Sequence, residues 1–369
     1  MTIGVPRERR ADEHRVGLTP VAIEMLTSAG HACVLERDAG RGAGFSDVEY
    51  ERAGARIVYS GEEVYGRADL VAKVARPTDE EAGWLKEETT VMGFLHLLAG
   101  SRRRAEAMLA KKITAIAYET IQEEDGALPV LSALSHMAGL MAPQVAGTLL
   151  QNDRGGKGIL LSGVPGVPPA EVVILGTGTF GMAAARAFLG LGASVYMLGT
   201  DLGRLQRIED HLGFGRHIVM MLAHPLNIRK AAAFADVLIG AIHIPGARSP
   251  VVVTREMVRS MKPRSVIMDV AIDQGGCVET SRPTTHRDPT FVAESVIHYC
   301  VPNMTSVVAR SASQMLNNAA WPFVSAVADH GLESALAYHP ALKRGVATHH
   351  GHVVNPMLAS HLGVPEATL

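Results

Sequence analysis

The chain has 369 residues, 47% apolar and 20% charged, with a net charge near −2, which describes a globular protein long enough for two domains, each with its own core. Lys and Arg are dispersed, with no basic run interleaved with aromatics, which argues against a nucleic-acid binder. No apolar run approaches the roughly 18 residues of a membrane span, and the start MTIGVPRE reads as a strand rather than a signal peptide, so a cytoplasmic protein is expected.

Apolar strands alternate with amphipathic helices, the pattern of a parallel α/β architecture. Residues 3–5 read as the first strand. Thr19 and Pro20 start a helix, Thr19 as its cap and Pro20 in its first turn, with Ile23 and Leu26 on one face and Gly30 closing it. Further strands are expected at 33–35, 70–74, 91–95 and 113–117. Residues 131–152 form a long helical pattern. The segment GGKGILLSGVPGVPPAEV that follows is too rich in Gly and Pro for a core helix, and its apolar residues 159–161 suggest a short hairpin. Next come a strand at 172–175 and another at 194–198, then a helix begun by Asp201 with Leu202, Leu205, Ile208 and Leu212 on one face. Central strands are expected at 237–241 and 265–270. From Gln314 onward the pattern is helical and contains no strand, so the tail is expected to pack back on one of two units.

Cys33, Cys277 and Cys300 are too few and too far apart for a disulfide framework and give no C-x-x-C pair; reduced, buried thiols are the expectation. Histidine is plentiful at 16, yet no H-E-x-x-H spacing occurs, so no metal site is expected. His349, His350 and His352 read as solvent-facing.

The stretch VVILGTGTFGMAAARAFLGLGASVYMLGTD carries the strongest local signal. Gly176, Gly178 and Gly181 stand in G-x-G-x-x-G register, with Thr179 among them, between a strand and a helix that starts near Met182. The three glycines allow a tight turn, close approach to a pyrophosphate and close helix-to-strand packing. The helix N-terminus offers N–H groups to phosphate. A dinucleotide, NAD or NADP, is the expected ligand. The second strand would normally end in an acid for the adenosine ribose. Here Gly199 stands in its place and Asp201 comes slightly late, as a ribose contact or, better placed, as a helix cap. Loss of that acid removes repulsion of a 2′-phosphate, and Arg204 could meet one.

Three polar residues fall at predicted strand ends, where open α/β sheets gather ligands: Arg15, His96 and Asp273. Singly, Arg15 could be a surface charge, His96 a core histidine and Asp273 a turn residue; their joint placement favours function. A dehydrogenase of a small amino or hydroxy acid needs a cation for the carboxylate, a proton-transfer group near neutrality and a nicotinamide for the hydride. A carboxylate beside the nicotinamide can orient the histidine or a water.

With these residues in view, the chain resembles the alanine dehydrogenase family, relatives of the soluble part of the proton-translocating transhydrogenase. The likeness runs over nearly the whole chain, through GVPRE…EHRVGLTP, GHACVLERDAGRGAGFSD, FLHLLAG, AIAYETI, GALPVLSALSHMAG, VIMDVAIDQGGC, ETSRPTTH and YCVPNM. It implies two Rossmann-like doubly wound parallel-sheet domains: a substrate domain of residues 1–129 with 306–369, and a dinucleotide domain of residues 130–305 inserted into it. It also implies a homohexamer and oxidative deamination of L-alanine to pyruvate and ammonia with NAD. By the same resemblance Arg15 binds the substrate carboxylate, His96 is the acid/base, Asp273 assists at substrate and water, and Ser135 and Asn303 approach the cofactor.

The departures fall on positions that touch ligands. The family's LKVKEP is AKVARP here, so Ala75 replaces a substrate-contacting lysine, and Lys73 or Arg76 is the candidate substitute. Leu222 stands for a usual serine, His243 lies in GAIHIPG where GAVLVPG is usual, and Asn303-Met304-Thr305-Ser306 replaces NMPG. A lost cation at the substrate carboxylate is worth on the order of 1.5–3 kcal/mol. Two functional classes therefore stay open. One is an NAD(P)-linked dehydrogenase acting on alanine, on another amino acid, or on a 2-oxo acid or imine. The other is a nucleotide-binding homologue that has lost catalysis.

Overall fold

The structure is a computed structural model that describes residues 1–99, 101–212, 217–242, 244 and 248–369. Among the described residues, six strands come from the first segment: β1 (Thr2–Val5), β2 (Ala32–Glu36), β3 (Arg56–Val58), β4 (Leu70–Ala75), β5 (Thr90–Phe94) and β6 (Thr114–Ala117). Seven come from the middle of the chain: β7 (Glu171–Leu175), β8 (Ser194–Gly199), β9 (Ile218–Leu222), β10 (Val237–Gly240), β11 (Val266–Asp269), β12 (Thr290–Ala293) and β13 (Val296–Tyr299). The C-terminal segment adds β14 (Val346–His349) and β15 (His352–Val353). The chain divides into two compact units, Met1–Leu134 with Ser306–Leu369, and Ser135–Thr305.

In the first unit the sheet runs β15-β14-β6-β5-β4-β1-β2-β3. Strands β1 to β6 are all parallel and follow the doubly wound order 3-2-1-4-5-6, with the direction of winding reversing between β1 and β4. Both faces of such a sheet are covered by helices, which is why β4 and β5 are buried along their whole length, Lys73 of β4 included. Val71, Val91 and Ala115 pack with Tyr65, Leu95, Met108 and Leu358 in its core.

The expectation of an all-helical tail is corrected here. Strand β14 adds antiparallel to β6, with Val346 opposite Ile116 and Thr348 opposite Ala115, and β15 closes a hairpin onto it. The polar run VATHHGHVV hides this strand, because β14 carries only Val346 and Ala347 as apolar residues before Thr348 and His349. Thr348 replaces a missing apolar contact with hydrogen bonds, accepting from the Ala115 N–H and donating to the Ile113 carbonyl.

The second unit's sheet, β12-β13-β11-β10-β7-β8-β9, repeats the doubly wound order from β7 onward, with β12 antiparallel at its edge. Val173, Leu175, Leu198, Leu238 and Ile267 form the centre of its core. Residues 159–161 do not form the expected hairpin. The chain reverses farther on, through a single bridge between Val164 and Val167 with Gly166 at positive φ. Leu202 also departs from expectation: it is exposed, while Leu205, Ile208 and Leu212 are buried. All three cysteines are free and buried. No helix among the described residues is long and apolar enough to cross a membrane.

Candidate functional site

The loop after β1 carries Arg15, and the long helix Ala309–His330 holds that loop in place with side-chain hydrogen bonds. The Ser306 hydroxyl, just ahead of the helix, accepts from the His14 N–H at 3.0 Å and donates to the Asp12 carbonyl. Ser313 accepts from the Val16 N–H, and Asn317 accepts from the Thr19 N–H while donating to the Gly17 carbonyl. Thr19 therefore does not cap its helix through its side chain: the hydroxyl donates to Asn317 Oδ1 instead. Gly17 is required here, because a Cβ would lie 2.2 Å from the Ala72 carbonyl oxygen.

Arg15 is buried, and Glu13 grips one edge of its guanidinium: Nε donates to Oε1 at 2.7 Å and Nη2 to Oε2 at 2.6 Å. A pocket of about 440 Å³ opens beside this pair, lined among others by Arg7, Glu8, His14 and Arg41. It lies by the carboxyl end of β1, next to the point where the winding reverses, the general ligand position of such sheets. Glu8 accepts from the Val74 N–H through Oε1, while its buried Oε2 has no hydrogen-bond partner. Burial raises the Glu8 carboxyl to about 6, against the opposing pull of Lys73.

Lys73 does not line this pocket. Its side chain is fully buried, with the ammonium donating to Glu81 Oε1 at 2.7 Å and lying 3.4 Å from Glu8 Oε2. Tyr65 donates to the same Glu81 oxygen. Although burial opposes it, the surrounding negative charge of Glu8 and Glu81 holds the Lys73 pKa above its ordinary value. The expected substrate contact of Lys73 is thus replaced by an internal ion-pair network. Ala75 is buried at the end of β4, and Arg76, half-buried, follows it.

His96 lies just past β5 with φ +39, and its imidazole is partly exposed. Glu119, just past β6, accepts from the His96 N–H at 2.5 Å and from the Leu95 N–H at 3.2 Å. The same carboxylate stands 3.7 Å from His96 Nδ1, and the Phe94 ring stacks against the imidazole.

In the second unit the glycine turn has the geometry a pyrophosphate needs. Gly176 adopts φ +121, where a Cβ would strike the Ala241 carbonyl, and a Cβ on Gly181 would lie 2.2 Å from the Gly176 oxygen. Gly178 alone of the three faces open space, and it is the N-cap of the twelve-residue helix Thr179–Gly190, with no side chain capping it. Open approach at Gly178 together with a helix N-terminus fits a dinucleotide phosphate. At the end of β8, a Cβ on Gly199 would lie 2.5 Å from Thr177 Cγ2. Asp201 caps the next helix, accepting from the Arg204 N–H at 2.9 Å. Arg204, exposed, donates through Nε to the Thr177 carbonyl, which brings its guanidinium beside the glycine turn. Asp273 is exposed in the turn after β11, and Asn303 sits at φ +51 after β13. Ser135 lies on the helix Pro129–Leu149. Leu222 ends β9, and His243 lies outside the described residues.

Comparison with known proteins settles the kinship. The family described as alanine dehydrogenase/PNT matches with its N-terminal domain over residues 4–138 and its C-terminal domain over residues 142–356. The chain belongs to this alanine dehydrogenase/PNT family. It is 41% identical to the alanine dehydrogenase of Mycolicibacterium smegmatis, covering 99% of this chain and 98% of that one. It is 43% identical to the alanine dehydrogenase of Halomonas elongata, covering 99% and 97%. Among solved structures, an L-alanine dehydrogenase superposes with TM-score 0.93 at 40% identity, covering 98% of this chain and 99% of that chain. The transhydrogenase from Sinorhizobium meliloti superposes with TM-score 0.80 at 25% identity, covering 96% and 99%.

Within this family frame, Glu8, Glu13, Glu81 and Glu119 shape the first unit's site, and sequence reasoning singled out none of them. Glu13 stands two residues before Arg15 and Glu119 two residues past a strand, which were the available signals. Asp269 is a further case: buried at the end of β11, its Oδ2 accepts from the Cys277 and Val278 N–H groups and so shapes the loop that carries Asp273. The replacement of the usual NMPG also acquires a purpose, since Ser306 pins the loop beside Arg15.

Proposed function

We propose that the protein is a nicotinamide-dependent oxidoreductase of the alanine dehydrogenase type, acting on the CH–NH2 group of a small amino acid and, in reverse, on a 2-oxo acid with ammonia. The observation that carries this reading is the Arg15 guanidinium, held in one orientation by Glu13 beside a charged pocket. A buried, pre-oriented guanidinium recognises a carboxylate through charge-assisted hydrogen bonds at little entropic cost. His96 serves as the acid/base: the amine N–H proton and the proton of the attacking water both need an acceptor, and Glu119 orients the ring from the Nδ1 side, directing Nε2 toward the substrate. Asp273 supplies a second carboxylate for substrate and water. Ser135, Thr179 and Asn303, with the three glycines, are the proposed cofactor contacts. The nicotinamide, when bound, accepts or returns the hydride.

Purified protein mixed with L-alanine and each nicotinamide cofactor, and in reverse with pyruvate and ammonium, is expected to change the absorbance of the reduced cofactor. No turnover with these or with a panel of oxo acids and amines overturns the reading. Ala75 favours the second reading, a nucleotide-binding homologue without catalysis, and Arg76 is the remaining candidate for the missing lysine. Calorimetric cofactor binding without turnover would select that reading.

The 2′-phosphate of NADP is the proposed partner of Arg204. Gly199 leaves no acid to repel it, and Arg204 already lies against the Thr177 carbonyl. Arg204→Ala is expected to weaken NADP binding about tenfold and leave NAD binding unchanged; equal effects on both would count against it. A homohexamer in the cytoplasm is proposed on family grounds, with sedimentation velocity as the check on assembly.

A further inference from the structure

The C-terminal hairpin brings together three side chains that the reaction does not use. His349 ends β14, His350 at φ +45 and Gly351 at φ +84 make the tight turn, and His352 opens β15. Glu333 lies in the first turn of the helix Leu332–Tyr338 and reaches over this turn. The Nε2 atoms of His349 and of His350 each stand 3.4 Å from the same Glu333 Oε1. One ligand atom from each of the three residues falls within 4.8 Å of the others.

These distances are long for charge-assisted hydrogen bonds, which close to about 2.7–2.9 Å. They match the edge of a tetrahedron around zinc: with Zn–N and Zn–O near 2.1 Å, two ligands lie about 3.4 Å apart. The two imidazoles meet edge to face, with centroids 4.3 Å apart and planes at 62°, so they are not stacked flat against each other. The groups around them suit an ion as well. Thr114 Oγ lies 3.4 Å from His349 Nδ1, behind the ring. The neighbouring cation, Lys112, points its ammonium at Glu88 instead, 3.5 Å away. His349 is mostly covered, whereas Glu333 and His350 are about 70% and 49% exposed, which leaves an open side for water.

We propose that Glu333, His349 and His350 form a binding site for a divalent transition-metal ion of the zinc class, with water as the fourth ligand, tying the helix Leu332–Tyr338 to the β14–β15 hairpin. Two imidazoles and a single carboxylate select zinc, cobalt or nickel over magnesium or calcium, which take oxygen ligands. The site shares no residue with Arg15, His96 or the glycine turn, so loss of the ion leaves those groups in place.

The test is calorimetric titration of the chelator-stripped full-length protein with Zn²⁺, paired with the visible absorption of bound Co²⁺. One ion per chain is expected, with the intense bands of tetrahedral cobalt. His350→Ala and Glu333→Gln are each expected to weaken that ion by about tenfold or more and to abolish the rise in melting temperature that Zn²⁺ gives the parent protein, while turnover without metal stays unchanged. With 16 histidines in the chain, adventitious binding is a real outcome. No binding, or the same isotherm in the parent and both variants, overturns the proposal.

Discussion

Lys73→Met tests whether the retained lysine serves the substrate or the interior. Its ammonium faces Glu81 at 2.7 Å and Glu8 at 3.4 Å with no solvent exposure, so the substitution leaves two buried carboxylates without their cation. Glu81 keeps the Thr78 N–H and the Tyr65 hydroxyl, and Glu8 keeps the Val74 N–H, so neither acid loses every partner. Breaking such a pair from one side costs about 3–5 kcal/mol. For a unit of ~200 residues this corresponds to a fall of roughly 6–20 °C in melting temperature. Scanning calorimetry on parent and variant reads the effect. Glu81→Gln added to Lys73→Met should recover part of it, because the double variant removes one stranded charge along with the cation. A fall of less than about 2 °C together with a raised KM for the amino acid would refute the argument and return Lys73 to the substrate.

Four further outcomes are expected. Glu8, raised to about 6 by burial, binds its proton more tightly folded than unfolded. Its contribution to stability is therefore full below about pH 4.5 and lost as pH rises through 6, and urea titrations should show this loss, on the order of 2 kcal/mol, in the parent but not in Glu8→Gln. Ser306→Ala removes the hydrogen bonds to the His14 N–H and the Asp12 carbonyl and should cost about 0.5–1.5 kcal/mol while raising KM, since the loop it pins carries Arg15; an unchanged KM would separate that loop from the substrate. Glu119→Ala should lower kcat about tenfold or more with little change in KM, with partial rescue by Glu119→Gln, because Glu119 acts through the placement of His96. Gly178→Ala should melt within about 1 °C of the parent yet bind dinucleotide weakly, whereas Gly181→Ala should lose stability as well, its Cβ meeting backbone at 2.2 Å.

Much of the molecule can be read from its residues, for a local reason. A buried parallel strand favours an apolar run, so 172–175 declares β7, and 70–74 declares β4 although Lys73 interrupts it. The glycine turn is equally local, because Gly181 meets the Gly176 carbonyl five residues earlier and Gly176 meets the end of the adjoining strand, while Gly178 keeps the approach open. Asp201 as a helix cap is a contact three residues long.

What the sequence could not show depends on groups far apart in the chain. β14 is a strand because β6 offers it an edge some 230 residues earlier, and the polar His349-His350 run carries no signal of that partner. Thr19 looks like a cap until Asn317 takes its hydroxyl. Lys73 looks like a candidate substrate ligand until Glu8 and Glu81 close around it. Glu333 reaches His349 and His350 only once the hairpin has folded beside its helix. The residues alone determined the dinucleotide turn, the alternation of strand and helix, and the presence of Arg15 and His96. The tertiary structure decided which charges face a pocket and which are consumed inside, because hydrogen bonding and burial are properties of neighbours in space.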